Sequence, residues 1–490
     1  MVELNSSTVE TTCRRQITKR RAIGFRIAAI LFGLLPLLLC EVALRIANWT
    51  PASEVEDPYI GFSCRYPLFK LNNDHDRYQT AESRLEYFVS DSFGAKKSEI
   101  EFRIFVLGGS TVQGRPYSIE TSFATWLRLS LGAADPNRIW EVVNCGGVSY
   151  ASYRLVPIVY EVLRHEPDLI ILYTGHNEFL ESRTYEQIST TPQIVRDAHV
   201  LASNSRAYLF CRNSWIAASA SHGLPAEVDA RLDYASGLDS YHRDNQWRDA
   251  VAEDFRANLH QIVHVAAAAQ IPVVLANPVC KLGDNAPFKT ELPTAWSRKE
   301  REEFTHRWTL SKQLIASDPN KACKLLEELL TRDQQHAGVA FDLAVCREKL
   351  GQFEAAKTAY QLAKDYDVCP LRILTPMRKV IEDVSRSREL HVVDVHGAIS
   401  KRSNHGIVDG QWMMDHVHPT IEGHQLIADL FMNQLIKQGF VYPAEGWKSV
   451  RDASYQTHLE SLNYAYYERG RQRLEGLRTW TKGESHVHDD

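Results

Sequence analysis

The chain has 490 residues, of which 44% are hydrophobic and 24% are charged, as in an ordinary globular protein that buries a core. Its 25 glycines and 19 prolines exclude a collagen-like or low-complexity chain, and a formal net charge of −5 gives no overall positive field that would attract nucleic acid. Nine cysteines without a C-x-x-C pair exclude a disulfide-rich miniprotein and give no zinc or redox motif. Composition therefore indicates a globular chain of enzyme size.

The N-terminal sequence is typical of a membrane anchor. A basic segment, residues 1–22, precedes an apolar stretch whose uncharged part is Ile27–Cys40. This uncharged part is shorter than the roughly 20 residues that span a bilayer, but Arg26 and Arg45 can snorkel at the ends of a longer helix. We expect an uncleaved transmembrane signal anchor at 23–48, with the N-terminus cytoplasmic and the main domain in the periplasm or at the cell surface. A cleaved signal peptide and a buried core helix are the alternatives.

Beyond a polar stretch at 49–99, which we interpret as a stalk or linker plus an edge hairpin, short β-rich runs alternate with amphipathic helical patterns. Apolar strands separated by helices predict a parallel five-stranded sheet covered on both faces, a three-layer α/β sandwich. In such sheets the functional residues follow the carboxyl ends of the strands. The β-rich runs are Arg103–Leu107, Trp140–Asn144, Leu169–Tyr173, Pro272–Ala276 and His391–Val395.

A helical insert interrupts this alternation. Residues 301–370 show only helical periodicity, and the spacing of small and large residues from Ala340 to Ala363 is typical of a tetratricopeptide repeat. A plain helical hairpin is the alternative. The insert divides the α/β domain into residues 100–300, which include an aromatic-rich helical cap after Glu178, and residues 371–440; a helical tail follows at 441–490. Because repeats of this kind present binding surfaces, we expect a protein partner at the insert.

Four segments at the ends of separate strands carry the candidate chemistry. A serine that follows two glycines after a strand presents its hydroxyl at the mouth of the sheet, where a neighbouring base can activate it. An aspartate three residues before a histidine can hydrogen-bond the imidazole and fix its tautomer. His416, between these two residues, is the alternative base. The four segments are Gly108–Thr111, Asn144–Ser152, Gly175–Glu178 and Asp415–Thr420.

In this order of segments the chain resembles the SGNH (GDSL-like) serine hydrolases, over about residues 101–437 with the insert set aside. The resemblance implies a flavodoxin-like sheet with Ser110 as the nucleophile, His418 as its general base and Asp415 as the acid that orients the base. It implies no metal and no cofactor. A serine-type site of this kind gives no reason to expect a nucleic-acid partner.

The resemblance also implies an oxyanion hole. Its donors would be the N–H of Ser110, the side-chain amide of Asn177 and a backbone N–H of the second segment, where Ser149 and Gly147 are both candidates. The sequence departs from the family pattern in having Gly109 where the family has aspartate, and Glu178 where the family has aspartate after the asparagine.

These features lead us to expect a membrane-anchored, extracytoplasmic serine esterase or O-deacylase. It would form an acyl-enzyme on an ester, for example that of an acylated envelope carbohydrate or lipid. An O-acyltransferase on the same scaffold is one alternative, and a non-catalytic assembly factor that uses the helical insert is another. The sequence leaves the acyl group, the alcohol, the disulfide pairing and the oligomeric state open.

Overall fold

The computed structural model describes residues 67–181 and 236–482 continuously, together with some of the residues at 32–47, 205–210 and 228–234. It divides into two compact units. The smaller unit, Met1–Ala52 with Asp197–Ser219, contains helical residues 38–46, in which the Glu41 carboxylate accepts hydrogen bonds from Ser205 Oγ and the Ala207 N–H, both at 2.8 Å. No helix among the described residues is long and apolar enough to cross a membrane. Most of the predicted anchor at 23–48 lies outside the described residues.

The larger unit begins with a small antiparallel sheet in the order β1 (Phe69–Leu71), β2 (Arg77–Thr80) and β3 (Ser92–Gly94). The described residues of 67–99 therefore form three short strands where the sequence predicted a stalk or linker plus an edge hairpin. Phe69 and Phe93 are buried in the core of the α/β body, and the Leu68 and Phe69 N–H groups donate to the Glu161 carboxylate at 2.9 and 2.8 Å. Strands of three or four residues are too short to show a period in the sequence, so the third strand and the packing on the α/β body were not predicted.

The body of this unit is a five-stranded sheet with the order β5-β4-β6-β7-β8, in which all neighbours are parallel. The predicted parallel sheet is therefore confirmed, and the predicted strand ends differ from the observed ones by no more than two residues. The strands are β4 (Glu101–Gly108), β5 (Ile139–Gly146), β6 (Leu169–Tyr173), β7 (Val273–Asn277) and β8 (His391–Asp394).

Helices cover both faces of the sheet. Along β4, Ile104 and Val106 contribute to the core on one face, while Phe105 and Leu107 contribute to the core on the other. The α-helices of this unit are, in chain order, α1 (Ser110–Gln113), α2 (Phe123–Ala134), α3 (Ser152–Val162), α4 (Asn245–Ala268), α5 (Arg298–Ser317), α6 (Pro319–Arg332), α7 (Ala337–Lys349), α8 (Phe353–Asp365), α9 (Thr375–Ser387), α10 (Val395–Ser400), α11 (Ile421–Lys437), α12 (Trp447–Ser461) and α13 (Tyr464–Trp480). Helices α2 and α11 pack on the first face, and α3, α4 and α9 pack on the second, which gives the predicted three-layer sandwich.

The predicted insert consists of α5, α6, α7 and α8, and each of these helices packs on the next. The insert has a hydrophobic core of its own, in which small residues such as Ala344 and Ala356 allow the helices to approach closely around Leu326 and Tyr360. Its first helix begins at Arg298, where Ser297 and Glu300 form a capping box that fixes the helix start.

The predicted helical tail forms α12 and α13, and both helices pack on the α/β body. The Tyr455 hydroxyl of α12 lies 2.8 Å from Ser130 Oγ of α2. The Tyr466 hydroxyl of α13 lies 2.8 Å from Thr121 Oγ1, just before α2. Of the connection after Glu178 in which a helical cap is predicted, residues 182–204 and 211–227 lie outside the described part of the chain.

Candidate active site

The turn between β4 and α1 carries the candidate nucleophile. Ser110 is the first residue of α1 and is half-buried at the carboxyl edge of the sheet. A Cβ atom on Gly109 would lie 2.6 Å from Asn177 Nδ2, so only glycine allows the Asn177 side chain to approach this turn. A side chain at position 109 would therefore displace the Asn177 amide from the place that it occupies here.

The structure brings Ser110, His418 and Asp415 together. Ser110 Oγ lies 2.7 Å from His418 Nε2, and His418 Nδ1 lies 2.7 Å from Asp415 Oδ2. Because a carboxylate only accepts hydrogen bonds, Nδ1 carries the proton and Nε2 is free to accept from the serine hydroxyl. The arrangement is that of a serine nucleophile, its general base and the acid that orients the base.

Local hydrogen bonds fix the loop that carries the acid and the base. The second oxygen of Asp415 accepts from the N–H groups of Val417 and His418, each at 2.9 Å. Thr111 Oγ1 donates to the Val417 carbonyl at 3.2 Å and so ties this loop to the first turn of α1. The loop then ends at Thr420, whose side chain accepts from the Gly423 N–H and caps α11.

Electrostatics favours an ionised Asp415 and a neutral His416. Burial acts to raise the pKa of Asp415, but the neighbouring imidazoles of His418 and His416 and the hydrogen bonds from the loop outweigh burial and lower it. Burial lowers the pKa of His416 to about 4, so this residue is neutral at pH 7. His416 Nδ1 lies 3.6 Å from Asp415, and its ring packs edge-on against Phe288. The histidine that contacts Ser110 is therefore His418 and not His416.

Two backbone N–H groups of the loop after β5 are the predicted candidates for the oxyanion donor. The Gly147 N–H donates to the Gly108 carbonyl at 3.0 Å and is already occupied. Within the described residues the Ser149 N–H has no hydrogen-bond partner, and Ser149 has a left-handed φ of 63°. A non-glycine residue in this region is uncommon and indicates a local constraint. Of the two predicted candidates, Ser149 is the one whose N–H is available to an oxyanion.

Asn177 and the first residue of α1 offer further donors at the same edge. Asn177 Nδ2 donates one hydrogen to the Tyr150 carbonyl at 3.0 Å, which orients the amide and leaves its second hydrogen available. The Ser110 N–H is one of the helix-start N–H groups that have no partner inside a helix. Ser110, Ser149 and Asn177 are half-buried, so substrate can reach them.

Glu178 holds two of these loops together, a role that was missed from the sequence. Its carboxylate accepts from the Ser152 N–H at 2.9 Å and from the Ser152 hydroxyl at 2.7 Å. Burial raises the pKa of Glu178 to about 7 although the hydrogen bonds from Ser152 act to lower it. The available signal was its position directly after Asn177, but the spacing alone does not show which backbone it binds.

No group of three or more histidine, cysteine, aspartate or glutamate side chains in the described ranges could hold a metal ion. The side chains of this site support the chemistry of an activated serine with oxyanion donors, through the contacts of Ser110, His418 and Asp415.

The helical insert matches a family model. The model of the tetratricopeptide repeat matches residues 313–368, which lie within α5 to α8 and the turn that follows. The predicted tetratricopeptide-like insert is therefore confirmed.

Solved structures that the chain is similar to include a lipase/acylhydrolase from Enterococcus faecalis (12% identity, 70% of this chain, 100% of that chain, TM-score 0.32). They also include a GDSL-like lipase from Bacteroides thetaiotaomicron (13% identity, 70% and 92%, TM-score 0.30) and an acetylxylan esterase from Geobacillus stearothermophilus (12% identity, 69% and 96%, TM-score 0.29). No curated protein matches the sequence. At these identities and TM-scores, a functional assignment rests on the geometry of the site.

Proposed function

We propose that the protein is a serine esterase or O-deacylase that acts through an acyl-enzyme. The observation that carries this proposal is the unbroken chain of hydrogen bonds from Asp415 through His418 to the Ser110 hydroxyl, each side-chain link at 2.7 Å. A serine hydroxyl is a poor nucleophile at neutral pH unless a positioned base takes its proton, and this geometry supplies that base.

The reaction begins when Ser110 Oγ attacks the ester carbonyl and its proton passes to His418 Nε2. The ionised Asp415 stabilises the imidazolium that forms, and the N–H groups of Ser110 and Ser149 with the Asn177 amide bind the oxyanion. His418 then returns the proton to the leaving alcohol, which leaves an ester on Ser110. Water, deprotonated by the same histidine, hydrolyses this ester and releases the acid.

The compartment is part of the same proposal. It includes an uncleaved anchor at 23–48, with residues 1–22 in the cytoplasm and the catalytic unit outside it. The support for this part is the basic segment that precedes the apolar one, because basic residues favour the cytoplasmic side. Acylated carbohydrates and lipids of the cell envelope are then the esters within reach of the site, and the helical insert binds a protein partner.

A fluorophosphonate probe tests the proposed nucleophile, because it reacts only with an activated serine. We expect the full-length chain to be labelled, and Ser110→Ala and His418→Ala to lose the label. Ser454→Ala, the same substitution at a half-buried serine of α12, serves as the control and keeps the label. Equal labelling of wild type and Ser110→Ala, or no labelling of either, contradicts the proposal.

A further inference from the structure

Arg115 follows the nucleophile turn directly. Its N–H donates to the Ser110 carbonyl at 3.1 Å, so the backbone of Arg115 is held against the end of α1. Gly114, with a left-handed φ of 102°, makes the sharp turn between them possible. Arg115 is half-buried, and its position in the chain places it beside the proposed nucleophile.

The Arg115 guanidinium points toward the loop that supplies the oxyanion donor. Its Nε donates to Gln113 Oε1 at 2.8 Å. Gln113 Nε2 in turn donates to the Tyr87 carbonyl at 3.0 Å, and the same carbonyl accepts from the Val148 N–H at 2.9 Å. Val148 precedes Ser149, so a continuous set of hydrogen bonds runs from the guanidinium to the oxyanion loop.

A second arginine lies on α13, which crosses the segment after Arg115. Tyr117 fixes this helix: its ring stacks on Tyr466 with centroids 5.8 Å apart, and a Cβ atom on Gly470 would lie 2.1 Å from the Tyr117 ring. Arg473 then donates to the Tyr117 carbonyl at 2.6 Å. Burial and the nearby charge of Arg473 together lower the pKa of Arg115 to about 10, which still leaves the Arg115 guanidinium charged at pH 7.

A third arginine of the same helix reaches the other side of the site. Arg478 Nη2 lies 3.4 Å from the carbonyl of Met414, the residue before Asp415. Within the described residues, Arg115, Arg473 and Arg478 form no ion pair with a carboxylate. These three guanidiniums therefore lack an ion-pair partner among the described residues, although the chain has a net charge of −5. Arg115 is half-buried and Arg473 is exposed, and their like charges repel each other, so an anionic ligand would relieve that repulsion.

We propose that Arg115, Arg473 and Arg478 bind a negatively charged group of the substrate, so that the ester cleaved at Ser110 also carries a carboxylate, phosphate or sulfate. This inference rests on the proposed esterase function and narrows its substrate class. The planar guanidinium presents paired N–H donors that match the oxygens of such groups, and the Nη atoms of Arg115 have no other partner in the described part of the chain. Arg115 is thus a specificity-determining residue that leaves the attack on the ester to Ser110.

Matched acetyl esters test the inference. 3-Acetoxybenzoate carries a carboxylate, 3-acetoxyphenyl phosphate carries a phosphate, and 3-acetoxybenzamide is a neutral ester of nearly the same shape. We expect the full-length wild type to prefer the charged esters, with a preference that weakens as salt is added. In Arg115→Gln and Arg473→Gln we expect the ratio of kcat/KM for charged over neutral ester to fall about tenfold or more, mainly through KM of the charged ester. The two charged esters show whether carboxylate or phosphate is the better ligand.

Arg402→Gln is the matched control, because Arg402 is exposed and its guanidinium also donates to a backbone carbonyl, that of Ala398 at 2.9 Å. This variant should keep the wild-type ratio. An unchanged ratio in both Arg115→Gln and Arg473→Gln overturns the inference and leaves the esterase proposal standing.

Binding of the product 3-hydroxybenzoate, measured by calorimetry, needs no catalysis. It therefore tests the anion site separately from the esterase proposal. We expect about tenfold weaker binding to Arg115→Gln than to wild type. If product binding depends on Arg115 but no ester releases acetate, the esterase proposal is contradicted and the anion site stands. Binding that is equal in wild type and Arg115→Gln contradicts the anion site.

Discussion

Replacing Glu178 by glutamine should make the protein more stable at neutral and alkaline pH. The carboxyl group of Glu178 is fully buried and accepts two hydrogen bonds from Ser152, whose hydroxyl also accepts from Asn258 Nδ2 at 3.0 Å. Glutamine has the same shape and can keep both contacts, since its oxygen accepts from the Ser152 N–H and its amide donates to the Ser152 hydroxyl. The substitution therefore removes the titration of this position and retains the link between the two loops.

The size of the effect follows from the pKa of Glu178, which burial raises from 4.5 to about 7. As the pH rises, Glu178 loses its proton in the unfolded chain near pH 4.5, but in the folded protein only near pH 7. The contribution of Glu178 to the stability of the folded state is therefore complete only below pH 4.5, and it is lost as the pH rises to 7. At 1.36 kcal/mol for each pKa unit, the loss in wild type amounts to about 3 kcal/mol. Most of this loss falls between pH 5 and pH 8.

Urea unfolding of the full-length chain at pH 5 and pH 8 measures this effect. At each pH we compare the free energy of unfolding of Glu178→Gln with that of wild type. The advantage of the variant should be larger at pH 8 than at pH 5 by about 2 kcal/mol or more. Glu354→Gln, the same substitution at an exposed position of α8, should give a difference that does not change with pH. A difference for Glu178→Gln that stays constant from pH 5 to pH 8 would refute the reasoning, because Glu178 would then titrate alike in the folded and unfolded chain.

Two further predictions concern the oxyanion donors. Asn177→Ala should lower kcat by about 10²- to 10³-fold on an activated ester, as for removal of one oxyanion donor elsewhere, and a kcat within a few-fold of wild type would exclude Asn177 from this role. Ser149→Gly should keep kcat/KM close to wild type, because the donor is a backbone N–H and glycine adopts a φ of 63° without strain. Ser149→Pro should lose most of the activity, because proline has no N–H and fixes φ at a negative value. Equal activities of the Ser149→Gly and Ser149→Pro enzymes would rule out Ser149 as the donor.

The contact between Ser110 and His418 was predictable because of a general property of parallel sheets. The carboxyl ends of all strands lie at one edge, so segments that follow different strands approach each other even when they are far apart in sequence. The choice between Ser149 and Gly147 was not predictable in this way. It depends on the register of β4 with β5, which pairs Gly108 with Gly146 and thereby places the next N–H, that of Gly147, on the Gly108 carbonyl.

The small sheet at 69–94 shows a limit of periodicity. Phe69 and Phe93 are separated by polar and turn residues, so no strand in this part is long enough to present an alternating pattern. Their burial depends on contacts with Phe105 of β4, whose ring lies 6.2 Å from Phe69 and 5.3 Å from Phe93. Such contacts across the chain cannot be read from a local sequence pattern, so the sequence does not predict that this segment packs on the α/β body.

The contacts of helix α13 are also not predictable from its sequence, and they concern the proposed binding site. Its sequence predicts a helix, and Gly470 within it is a signal of close packing, since glycine inside a helix costs about 1 kcal/mol relative to alanine. The partner of that contact, Tyr117, is more than 350 residues away and has no mark in the sequence of the helix. Arg471 forms an ion pair with Glu468 on the helix surface, whereas Arg473 lies near Arg115 and has no ion pair with a carboxylate in the part of the chain that the structure describes. Only the fold distinguishes these two arginines, and the distinction decides which of them can reach a substrate at the proposed site.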